Sequence, residues 1–201
     1  ATFTSIANGN WSSAATWSGG VVPPSCASDI VINHTVTADV AGYANNLTIN
    51  STGNLVATNP VTVTGTFLMN SGATYTHANL SSASTTIFAG TESFNASSTI
   101  IVNNWFNANV PLATGVSGDF GNITINASLA NWDQDGMFAP AKIKGTLTVQ
   151  SGSLNMDDGT GMTTSLTLND VVITGTGHIL FQRGANRNFT LVTGNFTDNS
   201  T

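Results

Sequence analysis

Charge is the scarcest property of this chain. Only 7% of its 201 residues are Asp, Glu, Lys or Arg, against about 25% in an ordinary soluble domain. Exposed helix faces are built largely from Glu, Lys, Arg and Gln, so there is little here to form them. Four cations, Lys142, Lys144, Arg183 and Arg187, stand against ten carboxylates, leaving a net charge of −6. A phosphate backbone needs a cationic stripe, which excludes nucleic acid as a partner. No apolar run approaches the ~18 residues of a spanning helix, so no membrane insertion is expected. One cysteine, Cys26, excludes an intrachain disulfide and a cysteine-rich zinc site. It is expected to be an inert thiol beside Pro23 and Pro24.

What fills the chain is short and polar. Thr, Asn and Ser number 31, 24 and 20, more than a third of all residues. Threonine and valine suit a pleated strand, and asparagine and glycine suit tight turns. Strand-like triplets with apolar ends recur at Ile30–Ile32, Leu47–Ile49, Val61–Val63, Ile123–Ile125, Leu147–Val149, Leu166–Leu168 and Val171–Ile173, the central residue being polar except at Val31 and Val172. This alternation points two side chains inward and one outward. Turn signals such as Asn50-Ser-Thr-Gly53, Asn70-Ser-Gly72 and Gln150-Ser-Gly152 separate the triplets.

The chain also repeats itself. Val63-Thr-Gly-Thr-Phe-Leu-Met-Asn-Ser-Gly72 aligns without gaps with Ile143-Lys-Gly-Thr-Leu-Thr-Val-Gln-Ser-Gly152 and with Val192-Thr-Gly-Asn-Phe-Thr-Asp-Asn-Ser-Thr201. Asn46-Leu-Thr-Ile-Asn50 reappears as Asn122-Ile-Thr-Ile-Asn126. Short, irregularly spaced units suit stacked coils of roughly 20 to 25 residues with variable loops better than propeller blades. The expected fold is an all-β, right-handed parallel β-helix in one module over residues 1–201. A β-sandwich is the runner-up. Residues 103–120 and 127–141 read as long loops, where function often resides.

Gly9-Asn10-Trp11-Ser12, Thr16-Trp17-Ser18-Gly19-Gly20, Val22-Pro23, Asp29-Ile-Val-Ile32, His34-Thr-Val-Thr37 and Leu47-Thr-Ile49 follow in a known order. Together they resemble the N-terminal repeat region of large bacterial secreted cell-surface β-helix proteins. They are also similar to the extracellular eight-glycine domain family. The chain departs from that pattern at Asn33, where a glycine usually precedes His-Thr-Val-Thr. The resemblance covers roughly 40% of the chain, each motif being weak alone. It implies an extracellular β-helical module associated with adhesion or ligand binding, and supplies no catalytic residues. Ala1 before Thr2-Phe3-Thr4 suits a mature N-terminus left by signal cleavage. Residues 1–28 are expected to form an N-terminal cap in which Trp11 and Trp17 cover the first coil.

Several constellations carry candidate chemistry. Asn131-Trp-Asp133-Gln-Asp135-Gly136 places oxygen ligands at alternate positions, as in the first half of a calcium loop, but Lys142 stands where the bidentate Glu is required. Asn131, Asp133 and Asp135 are therefore candidate calcium ligands, weighed against an ordinary Asp-Gly turn. Trp105, Phe106, Trp132 and Phe138 lie in the two long loops and could stack on sugar rings or anchor those loops. His34, His77 and His178 each lie in or beside a strand and read as structural. No nucleophile elbow, His-Glu-x-x-His motif or phosphate loop occurs, so a non-enzyme is expected. A polysaccharide-degrading β-helix enzyme is a remote alternative. So is ice binding by Thr-x-Thr pairs (35/37, 62/64, 74/76, 146/148, 174/176), whose spacing in the sequence is irregular.

The expected function is thus a non-enzymatic extracellular module for adhesion or cell-surface architecture, its partner a polysaccharide or another surface protein. A carbohydrate-binding module using loop aromatics is the alternative. The final unit stops at Asn199-Ser200-Thr201, where its relatives go on to another strand. A longer native chain, or a C-terminal end that stacks on further coils or another molecule, is therefore expected.

Overall fold

In the computed structural model the described residues are 1–24, 28–78, 91–104, 119–127, 132–133, 143–155, 166–180, 191–192 and 194–201. They form a parallel β-helix. The chain opens with β1 (Thr2–Thr4) and β2 (Gly9–Asn10), followed by two short 3-10 turns. One coil is then β3 (Asp29–Ile32), β4 (Thr35–Thr37) and β5 (Gly42–Ala44). The next is β6 (Leu47–Ile49), β7 (Asn54–Ala57) and β8 (Val61–Val63). After these come β9 (Thr66–Met69), β10 (Thr74–His77), β11 (Thr91–Phe94), β12 (Thr99–Val102) and β13 (Asn122–Asn126). The last are β14 (Trp132–Asp133), β15 (Ile143–Asn155), β16 (Leu166–Leu180), β17 (Leu191–Val192) and β18 (Phe196–Ser200).

Strands at the same position in successive coils pair in parallel. The first sheet runs β1-β3-β6-β9-β11, five strands from five turns. The second runs β2-β4-β7-β10-β12-β13-β15-β16, with β18 joined to β16. A third, smaller sheet pairs β5 with β8. The sandwich alternative is thereby set aside, because sandwich strands are antiparallel. Register fixes the coil length. Ile30 pairs with Leu47 and Leu47 with Phe67, steps of 17 and 20 residues, whereas Tyr75 to Ile100 is 25. The shortest coil falls below the expected range because its turns are minimal.

The triplets behave as alternation requires. Ile30, Ile32, Leu47, Ile49, Phe67 and Met69 are buried along the first sheet, and Leu55, Ile100, Ile123, Leu147 and Val171 along the second. Rings stack through the interior: Phe67 meets Phe94 edge to face at 5.4 Å, and Phe94 lies flat on Phe120 at 5.5 Å. At the N-terminal end Trp11 and Trp17 are buried edge to face at 5.1 Å, and the Trp17 Nε1–H donates to the Trp11 carbonyl at 2.8 Å.

The sequence repeats mark contacts between coils. Asn46 Oδ1 accepts the Thr66 N–H at 2.9 Å, Asn122 Oδ1 the Thr146 N–H at 2.8 Å, and Asp170 Oδ1 the Asn195 N–H at 2.9 Å. The residue before each donor is Gly65, Gly145 or Gly194. A Cβ at Gly65 would lie 2.6 Å from Asn46 Oδ1, and one at Gly194 2.9 Å from Asp170 Oδ1. Glycine recurs there because the preceding coil fills the side-chain space, with the capping oxygen and, at Gly65 and Gly194, also the Asn45 or Asn169 carbonyl. The second repeat glycine has another cause: Gly72 and Gly152 have φ of +81° and +79°, the left-handed region that other residues avoid.

Candidate functional site

The second sheet presents the longest ordered surface among the described residues. In a parallel ladder, residues in register point to the same side. One outward column is Thr35, Asn54, Thr74, Thr99 and Asn122, continued by Thr146, Asp170 and Asn195. The neighbouring column is Thr37, Val56, Thr76, Ile101, Thr124, Thr148, Val172 and Thr197. Three of the Thr-x-Thr pairs, 35/37, 74/76 and 146/148, therefore span both columns, and a fourth, 174/176, lies further along β16 of the same sheet. Irregular spacing in the sequence is taken up by the loops. Thr62 instead lies on the third sheet, paired with Tyr43. The columns are mixed in chemistry, and Thr76 is largely buried, its hydroxyl donating to Asn54 Oδ1 at 3.3 Å.

Several polar side chains among the described residues bond to a neighbouring coil. Asn33, Asn50 and Asn70 form a ladder at the turn after the first sheet. The Asn50 Nδ2 donates to Asn33 Oδ1 at 2.6 Å, and the Asn70 Nδ2 to Asn50 Oδ1 at 2.7 Å. Asn46 also donates to Asp29 at 2.7 Å. Asn33 is thus the first rung of an amide ladder. Its signal in the sequence is an Asn immediately after each strand, at Ile32-Asn33, Ile49-Asn50 and Met69-Asn70.

The histidines occupy three different settings. His34 Nδ1 lies 3.0 Å from the Ser5 carbonyl, and Ser5 Oγ accepts the Asn33 N–H at 2.8 Å, tying the first coil to the second. His77 is buried, with Nδ1 2.9 Å from the Tyr75 hydroxyl. Burial pushes the Tyr75 phenol far up, so it stays protonated. His178 is exposed on β16 beside an open groove of about 470 Å³, whose lining includes Ser153, Ile173, Asp198 and Ser200. Lys144 pairs with Asp119 at 2.7 Å.

Trp132 and Asp133 form β14 and pair with Leu154 and Asn155, so the expected loop 127–141 contains a short strand. Trp105, Phe106 and Phe138 lie outside the described residues, as do Asn131 and Asp135, and with them the calcium set as a whole. Cys26, Lys142, Arg183 and Arg187 also lie outside. Among the described residues no three His, Cys, Asp or Glu side chains cluster to hold a metal ion. No family model, curated protein or solved structure matches the chain.

Proposed function

We propose that this chain is a non-enzymatic, extracellular surface module for adhesion or cell-surface architecture. The observation that carries this reading is the pair of in-register outward columns on the second sheet. Apart from Asp170 they are uncharged, built of hydroxyls, amides and short aliphatics, and repeat about every 4.8 Å. A long, stiff, repetitive face suits an extended partner with its own repeat, such as a polysaccharide chain or the sheet of another surface protein. The resemblance of residues 9–49 to secreted surface proteins supports the same reading. Low charge keeps such contacts insensitive to salt.

The test probes a glycan array and a panel of surface-protein ligands with the 201-residue chain in physiological salt. Saturable binding is expected to weaken in a Thr124→Lys/Thr148→Lys variant on the second sheet. A Thr48→Lys change on the first sheet should leave it unaltered. Equal loss in both variants, or no binding to any probe, would remove the proposal.

A further inference from the structure

One interior column of the second sheet contains a group that can change charge. The column runs Ala57, His77, Val102, Ile125, Val149 and Ile173 in register, and every member is buried. His77 is 1% exposed, and the rungs on either side of it are alanine and valine. Its strand, β10, is also central to the outward face. Thr74 and Thr76 join Asn54 and Val56 on one side to Thr99 and Ile101 on the other. Because side chains alternate along a strand, four residues both line the core and hold the outward columns together.

The His77 ring sits in the core as the neutral form. Burial keeps the Tyr75 phenol protonated, and its oxygen lies 2.9 Å from His77 Nδ1. With the Tyr75 hydroxyl donating, Nδ1 is an acceptor and the ring proton is on Nε2. A second proton would turn that acceptor into a donor and place a charge between Ala57 and Val102. Burying a charge is costly unless a counter-charge meets it. The strands that pair with β10, β7 and β12, have no ionisable side chain, and neither does β9, whose Phe67 packs against Tyr75. The next coil contributes Glu92, which is buried in a different column, that of Leu47 and Phe67 on the first sheet. Between His77 and Glu92 the sequence has no titratable residue.

We propose that His77 is an acid switch beneath the binding face: when its ring takes up a proton, β10 leaves its register, the outward columns break there, and the bound partner is released. This rests on the reading of the second sheet as the binding surface. The sign follows from linkage. The folded chain excludes a proton that the unfolded chain binds at pH ~6.5, so stability is full above that value and falls below it. One broken strand interrupts the face because each coil contacts only its neighbours.

Urea unfolding and amide hydrogen exchange of the 201-residue chain test the switch without any partner, so they are independent of the ligand screens. Between pH 7.5 and 5.5 the wild-type equilibrium should shift about tenfold toward the unfolded chain. Exchange in β10, β7 and β12 should rise beyond the intrinsic effect of pH, while β1 and β3 hold. His77→Gln keeps an acceptor for Tyr75 but cannot take the charge, and should lose most of the shift. Glu92→Gln should follow wild type. Should His77→Gln fail to fold, the wild-type exchange pattern decides: a local rise supports the switch, and a uniform or absent rise refutes it. A partner found by the screens should leave wild type at pH 5.5 and stay on His77→Gln. Retention by wild type, equal stability at both pH values, an equal fall in His77→Gln, or greater wild-type stability at pH 5.5 would each overturn the proposal.

Discussion

The side-chain oxygen of Asn46 occupies the space where a Cβ of Gly65 would sit, 2.6 Å from that position. The same oxygen accepts the N–H of Thr66. Two motifs that look independent in the sequence, Asn-Leu-Thr-Ile-Asn and Val-Thr-Gly-Thr, are therefore the two sides of one contact between coils. Gly65→Ala should destabilise the chain by about 1–3 kcal/mol, because the asparagine or the backbone must shift. Gly145→Ala should act alike through Asn122. A urea midpoint unchanged in both would show that this contact does not stabilise the coils.

The amide ladder gives a graded prediction. Asn50 bonds to both Asn33 and Asn70, whereas each of those makes a single ladder bond. Asn50→Ala should cost about 1–3 kcal/mol by leaving two half-buried amides unsatisfied. Asn33→Ala or Asn70→Ala should cost less. Equal effects at all three positions would show that the ladder does not act as a chain of bonds.

At the N-terminal end the two tryptophans separate packing from hydrogen bonding. Trp17→Ala should cost about 3–5 kcal/mol through the cavity it leaves. Trp17→Phe keeps an aromatic body but loses the donor to the Trp11 carbonyl, and should cost about 1–3 kcal/mol. Denaturation followed by far-ultraviolet dichroism checks both values.

Acid should weaken this end. Partial burial pushes the Asp39 carboxyl up, but hydrogen bonds from the Ser12 hydroxyl and N–H outweigh it and hold the group below its usual range. A depressed folded-state pKa contributes stability above the unfolded value, which is lost as pH falls through the folded value. Ser12→Ala should flatten the acid side of the stability profile. An unchanged profile would contradict this role.

Strand identity was legible because apolar alternation is a local property. The triplets at 30–32, 47–49, 61–63, 123–125, 147–149, 166–168 and 171–173 all fall within strands. Which sheet each triplet joins was not legible, because turn length decides it. Four residues, Asn70–Ala73, separate β9 on the first sheet from β10 on the second, whereas Gly121 alone separates Phe120, which makes only an isolated bridge to Ile143, from β13. The two matching repeats therefore occupy different sheets. Thr66–Met69 pairs with β6 on the first, whereas Leu147–Val149 pairs with β13 on the second. The threonine columns were hidden for a related reason, since loops absorb the differences in coil length. Asp198 sits in an ordinary polar stretch, and only the register with Ile173 shows that it points inward.

On the second sheet one continuous in-register ladder places polar residues distant in sequence side by side. A cysteine pair tests it most directly. Thr124 and Thr148 are paired neighbours, and adjacent strands lie about 4.8 Å apart, within the reach of a disulfide. In a Cys26→Ser background, Thr124→Cys/Thr148→Cys should oxidise to an intramolecular disulfide, seen as a mass loss of two hydrogens with strand dichroism retained. A one-residue slip would turn the two side chains to opposite faces. Free thiols that persist in the folded protein under the same oxidant would contradict the register and the surface built on it.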